Sequence, residues 1–103
     1  MLQQVCNEHF QPLINQSCPL QLPDGRVLHV HIEAVDLRPQ SRLPDNSRTP
    51  FNVTLRSLAP TDFVDGLCAL ALPELGSVDG IFVSREPALG RDPNLGYFNI
   101  VFN

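Results

Sequence analysis

A chain of 103 residues, 43% hydrophobic and 17% charged with a formal net charge of -4, has the composition of one ordinary soluble domain spanning 1-103 and no length for a second. All seven of its basic residues are arginine, which excludes lysine chemistry such as Schiff bases and the Walker phosphate loop. The acidic balance also argues against a nucleic-acid surface, because phosphate binding needs clustered positive charge.

The segment Met1 to Phe10 has no basic residue followed by an apolar run, so neither a signal peptide nor a membrane-spanning helix is expected. Cys6, Cys18 and Cys68 are odd in number and form no C-x-x-C pair, which fits reduced, buried thiols in a cytoplasmic protein better than a disulfide framework. Cys18, between Ser17 and Pro19, is the exception to expect. The triplets Asn15-Gln16-Ser17 and Asn52-Val53-Thr54 are discounted as glycosylation sites in a protein that is not exported.

In chain order, Leu2 to about Phe10 places Leu2, Val5, Cys6 and Phe10 on one helical face before Pro12 breaks the pattern. This predicts a short amphipathic lid. Pro19 to Leu22 reads as a first strand, turned by Pro23-Asp24-Gly25 into a hairpin. Arg26 to Leu37 is the longest alternation, with Leu28, Val30, Ile32 and Ala34 on one face and Val27, His29, His31, Glu33 and Val35 on the other. Arg38 to Thr49 is polar, carries prolines and reads as a mobile surface loop.

Pro50 opens the next strand, with Phe51, Val53 and Leu55 inward, and Asp65-Gly66 reads as a turn. Leu67 to Leu72 is short and bounded by Gly66 and Pro73, which predicts a strand buried on both sides. Gly76 to Arg85 continues as a strand in which Gly80 breaks the alternation as a bulge would. After a Pro- and Gly-rich loop from Glu86 to Gly96, Tyr97 to Asn103 is an aromatic and β-branched strand.

The ten prolines and six glycines recur every eight to twelve residues or so. The expected fold is therefore all-β: a small barrel or roll of about six mainly antiparallel strands with one short N-terminal helix. Its predicted core is Phe10, Leu28, Val30, Ile32, Phe51, Val53, Leu55, Leu70, Phe82, Phe98, Ile100 and Phe102.

The order of these signatures resembles an uncharacterised bacterial family of small β-rich domains of about this length. The resemblance lies in the helix ending at Phe10, the run Leu20 to Leu22, the Pro50-Phe51 strand start, Leu72-Pro73-Glu74-Leu75-Gly76, Ile81-Phe82-Val83 and the terminal strand from Tyr97. Members occur near genes for phage-tail-collar-like proteins, which implies an accessory role in such a particle. The motifs are structural and bring no catalytic residue. The Arg38 to Thr49 loop is longer and more arginine-bearing than the family pattern.

His29-Val30-His31-Ile32-Glu33 is the one constellation with metal-ligand chemistry, since residues two apart on a strand project to one side; His9 is a possible fourth ligand. Such side chains start about 6.5 to 7 Å apart at Cα, so chelation needs added convergence, and a solvated polar face is the plainer account. Asp62, Asp65, Glu74 and Asp79 fall in expected turns and suggest no acid-base pair. No nucleophile motif or phosphate loop is present, so no enzyme and no cofactor are expected.

Arg38, Arg42 and Arg48 form a basic cluster that suits an acidic protein patch better than nucleic acid. Tyr97 and Val101, opposite Phe98, Ile100 and Phe102, are expected to be exposed; with Arg42 and Arg48 they form the candidate partner surface. The terminal strand offers an edge for pairing. The expectation is a non-enzymatic interaction or assembly module that binds a protein partner or itself, with no membrane contact. The alternative is a small ligand- or metal-binding barrel using His29, His31 and Glu33.

Overall fold

The computed structural model of the chain describes residues 5–38, 50–72 and 75–102. A short helix, α1 (Asn7–Phe10), runs into a 3-10 turn at Gln11–Leu13. Six strands follow: β1 (Ser17–Gln21), β2 (Val27–Leu37), β3 (Phe51–Ser57), β4 (Asp65–Leu72), β5 (Gly76–Glu86) and β6 (Tyr97–Phe102). They close in the order β1-β2-β3-β6-β5-β4, with every neighbouring pair antiparallel. The expected small β-barrel with a short N-terminal helix is the observed fold.

Closure corrects the expectation of an open edge at the terminal strand, because β6 pairs with β3 on one side and β5 on the other. The weak seam lies between β1 and β4, where only Leu20↔Leu70 and Gln21↔Ala69 are in register. Pro19 explains why it is short. The bonds Ile32 N–H to Gln16 O (2.9 Å) and Leu22 N–H to Arg26 O (2.8 Å) turn the even-numbered residues of this strand toward β2. The odd-numbered ones then face β4; Gln21 has an N–H to offer there and Pro19 has none, so the ladder stops.

The Pro23–Gly25 turn joins β1 to β2 as expected, with Asp24 accepting a hydrogen bond from the Arg26 backbone N–H at 3.0 Å. Asp65 and Gly66 are not a turn but the first residues of β4, in register with Ser84 and Val83. The helix is shorter than the Leu2 to Phe10 expectation: residues 1–4 lie outside the described residues, and Pro12 is accommodated within the 3-10 turn.

Alternation along the strands fills the barrel with Leu20, Val30, Ile32, Val53, Leu55, Leu70, Val78, Ile81, Val83, Phe98 and Ile100, all essentially inaccessible to water. Aromatic clusters close both ends. At one end Phe51 and Phe102 stack with centroids 4.7 Å apart, and Phe10 of α1 packs on them at 6.1 and 5.6 Å. At the other end Phe63 lies 5.5 Å from Phe98. Gly96 passes so close there that a Cβ would meet the Phe98 ring at 2.8 Å, and Ser57 fixes it by accepting the Gly96 N–H at 2.8 Å.

Two bulges decide which residues face out. In β2, Glu33 is an extra residue between Ile32↔Leu55 and Ala34↔Thr54. Beyond it the alternation reverses: Val35 packs against the core, whereas Ala34, expected inside, pairs with outward Thr54. In β5, Asp79 and Gly80 together oppose Ala69, and Gly80 adopts φ 70°, as its expected role in a bulge requires. Val78, Ile81 and Val83 consequently point inward and Phe82 outward, correcting its assignment to the core. Leu28 is half-buried, and the Leu67–Leu72 segment is a strand buried on one side only, with Leu67 and Ala71 exposed.

Candidate binding surface on the barrel wall

The outward positions of neighbouring strands line up in rows across the wall. Leu67 of β4 is in register with Phe82 of β5. The β5–β6 ladder ends at Val83↔Ile100; just past that end, Val101 of β6 pairs with Asn52 of β3, itself opposite Asp36 of β2. Leu67, Phe82 and Val101 are 61%, 55% and 47% exposed on three consecutive strands, Leu67 and Phe82 in register and Val101 just past the end of the β5–β6 ladder. Isolated exposed apolar side chains are ordinary, but a cross-strand apolar pair with a third exposed on the next strand makes a candidate patch.

The next row, Asp65, Ser84, Asn99 and Thr54, is polar; the Ser84 hydroxyl donates to Asn99 O at 3.4 Å. A third row holds Glu86, Tyr97, Arg56 and His31. Tyr97 does lie opposite Phe98 and Ile100, yet it is only 3% exposed, which removes it from the expected partner surface. The β5–β6 connection covers it. The Arg91 guanidinium sits 3.9 Å from the ring centroid, pairs with Glu86 at 3.1 Å, and donates to Ala88 O (2.6 Å) and Pro87 O (2.9 Å). Sequence pattern alone showed an outward position and could not show a loop folded over it.

His29 and His31 lie on the outer wall of β2, opposite Pro19 and Ser17 of β1. Glu33, the bulged residue, points its carboxylate at Arg56 of β3, 3.5 Å away. His9 is engaged elsewhere: its Nδ1 accepts the Cys6 backbone N–H at 3.0 Å and lies 3.4 Å from the Cys6 Sγ. Among the described residues no group of three or more His, Cys, Asp or Glu side chains is placed to hold a metal ion. Arg42 and Arg48 lie outside the described residues, and Val101 is the member of the expected partner surface that the fold places in the open.

A shallow groove of about 200 Å³ marks the β1–β4 seam, floored by Ala69 and Ala71 and walled by Pro19, Gln21, Val27 and Ser77. Cys18 and Cys68 face inward. Burial raises both thiols above their ordinary range, Cys68 to about 11, and the Cys68 thiol donates to Gly66 O at 3.7 Å. They are poor nucleophiles. At the barrel end, backbone and side-chain hydrogen bonds from Arg26 hold the Asp24 carboxyl below its usual range.

With the geometry in place, comparison with known families is decisive on one point. The chain belongs to the domain of unknown function family DUF6916, matched over residues 5–102. Neither the curated proteins nor the solved structures yield a match. The match runs from Val5 beside the helical cap to Phe102 at the end of β6, so the apolar row lies entirely within the family domain. It agrees with the resemblance to an uncharacterised domain family. No helix among the described residues is long and apolar enough to cross a membrane.

Proposed function

We propose that this protein is a non-enzymatic interaction or assembly module whose docking face is the row Leu67, Phe82 and Val101. The exposure of these three side chains, on three consecutive strands of the barrel's outer wall, carries the reading. A stable interface needs an apolar centre with well-packed anchors, and an exposed phenylalanine between two aliphatic side chains is suited to that role. Exposing such a row to water brings the fold itself no burial.

In its finer form the proposal is an accessory component of a phage-tail-like particle, in a bacterial cytoplasm. Support comes from the strand and turn signatures shared with a family near phage-tail-collar-like genes and from three cysteines that are all free thiols. The test is affinity capture from host cells with tagged wild-type protein and a Phe82→Ser variant. Wild type is expected to retain a defined partner at mild salt, which Phe82→Ser loses while melting at the same temperature. Recovery of no partner, or of the same partner by both, overturns the proposal.

A further inference from the structure

We infer that the partner docks through an amphipathic helix, laid across β4, β5 and β6, whose apolar stripe is flanked by lysine or arginine; this rests on the assembly reading above. Direction comes first. The register pair Leu67↔Phe82 runs across the strands toward Val101 of β6, so these side chains leave the backbone about one inter-strand spacing, about 4.8 Å, apart. A helix presents residues i, i+3 or i+4 and i+7 along one stripe at about 5 Å intervals, with about 10.5 Å from first to last. That matches the row's two inter-strand steps.

Charge comes second. Asp65, two residues before Leu67 on the same outward face of β4, and Asp79, at the bulge preceding Phe82, are both exposed. The intervening outward positions, Ser84 and Asn99, are neutral. Among the described arginines Arg26 is paired with Asp24 and Asp62, Arg56 with Glu33 and Arg91 with Glu86, whereas Arg85 keeps its charge at the barrel end on the carbonyls of Thr61 and Phe63. Among the described residues no salt bridge joins Asp65 or Asp79, which flank the pair Leu67 and Phe82 along β4 and β5.

Three side chains are the centre of an interface, not the whole of the roughly 800 Å² per partner that a standard one covers, so the charged surround selects the partner. A second copy docked face to face through the same side chains would bring its own Asp65 and Asp79 to the contact. A basic-flanked helix neutralises both.

Fluorescently labelled 18-residue helical peptides test this on the full chain. One carries a Leu/Phe stripe with lysine flanks, a second the same stripe with glutamate flanks, a third lysine flanks with the stripe replaced by serine. The first is expected to bind with amide NMR shifts centred on Leu67, Phe82 and Val101, and at least tenfold more tightly than the other two. Phe82→Ser is expected to weaken it about tenfold, and the double variant Asp65→Asn, Asp79→Asn to weaken it several-fold and flatten its salt dependence. Equal binding of the lysine and glutamate peptides at the row overturns the charge inference and leaves the docking row standing. Shifts confined to other surfaces, or a dimer in sedimentation that Phe82→Ser dissolves, overturn the helical partner altogether.

Discussion

β2 and β5 are the two longest strands, eleven residues each, and each is interrupted by one bulge. Their outer faces nevertheless diverge. Past Glu33, β2 presents Ala34 and Asp36 outward and joins β3 through the Glu33–Arg56 pair, and its large exposed apolar side chains, Val27 and Leu37, stand at its opposite ends. Past Gly80, β5 swings Ile81 in and Phe82 out, and its wall becomes the apolar row shared with β4 and β6. One extra residue in a strand exchanges every later side chain between core and solvent, which is the cost of a one-residue slip. The bulge in β5 therefore determines the candidate docking face.

The largest effect expected tests whether the two bulged strands belong to one closed wall. β6 joins them through β3 on one side and directly on the other, so Phe102, 5% exposed and stacked on Phe51, should be integral. Phe102→Ala is expected to lower unfolding free energy by about 3–5 kcal/mol in denaturant titration. A wild-type midpoint would mean that the C-terminal strand is not part of the core.

A comparison of neighbours sharpens the β5 bulge. Ile81→Ala, at an inward and buried site, should cost about 2–5 kcal/mol, whereas Phe82→Ala on the outer face should stay within about 0.5 kcal/mol despite removing the larger side chain. Reversal of that order in thermal melts would refute the register past Gly80. Gly80 itself comes next. With φ at 70°, Gly80→Ala should cost about 1–2 kcal/mol, the penalty of a Cβ in the left-handed region. No such requirement attaches to Glu33, so Glu33→Ala should lose only the half-exposed pair with Arg56; equal losses at the two bulges would erase the contrast.

These differences also mark what the sequence made legible. Gly80 was a visible signal for a bulge, because glycine inside an alternating strand has few other uses, but the sequence did not show which later residues it turned outward. Phe82, one of three apolar residues in a row, fits either face until register is known. Glu33 carried no signal, since an extra residue there needs no special backbone. Tyr97 was placed on the correct face and still proved buried, because its cover comes from Arg91 in a loop without periodicity. The hairpin at Pro23–Gly25, the inward residues of β3 and β6 and the aromatic cap at Phe10 were readable from turn chemistry and alternation alone.

A buried thiol supplies a pH handle on the β4 side of the comparison. Burial raises Cys68 from 9.0 to about 11 in the folded state. The unfolded chain thus releases the proton first, and the contribution of the neutral thiol, full below about pH 9, is lost as pH rises through about 11. Melting temperature should fall across that alkaline window by less than a core truncation causes, and the fall should be shallower in Cys68→Ala. An unchanged slope would assign the alkaline loss to other groups.

The smallest effect belongs to the polar wall of β2. His29 and His31 stand on the outside of a strand whose Glu33 carboxylate already faces Arg56, and His9 is held by Cys6. Two imidazoles two apart on one strand begin about 7 Å apart at Cα, and among the described residues no third His, Cys, Asp or Glu joins them in a group placed to hold an ion. The double variant His29→Ala, His31→Ala should therefore change stability by no more than about 0.5 kcal/mol, and one equivalent of zinc should raise the melting temperature of neither protein. A zinc-dependent rise in wild type that disappears in the variant would show that β2 can draw in a further ligand. It would move the binding surface from the apolar wall behind Gly80 to the polar wall beside Glu33.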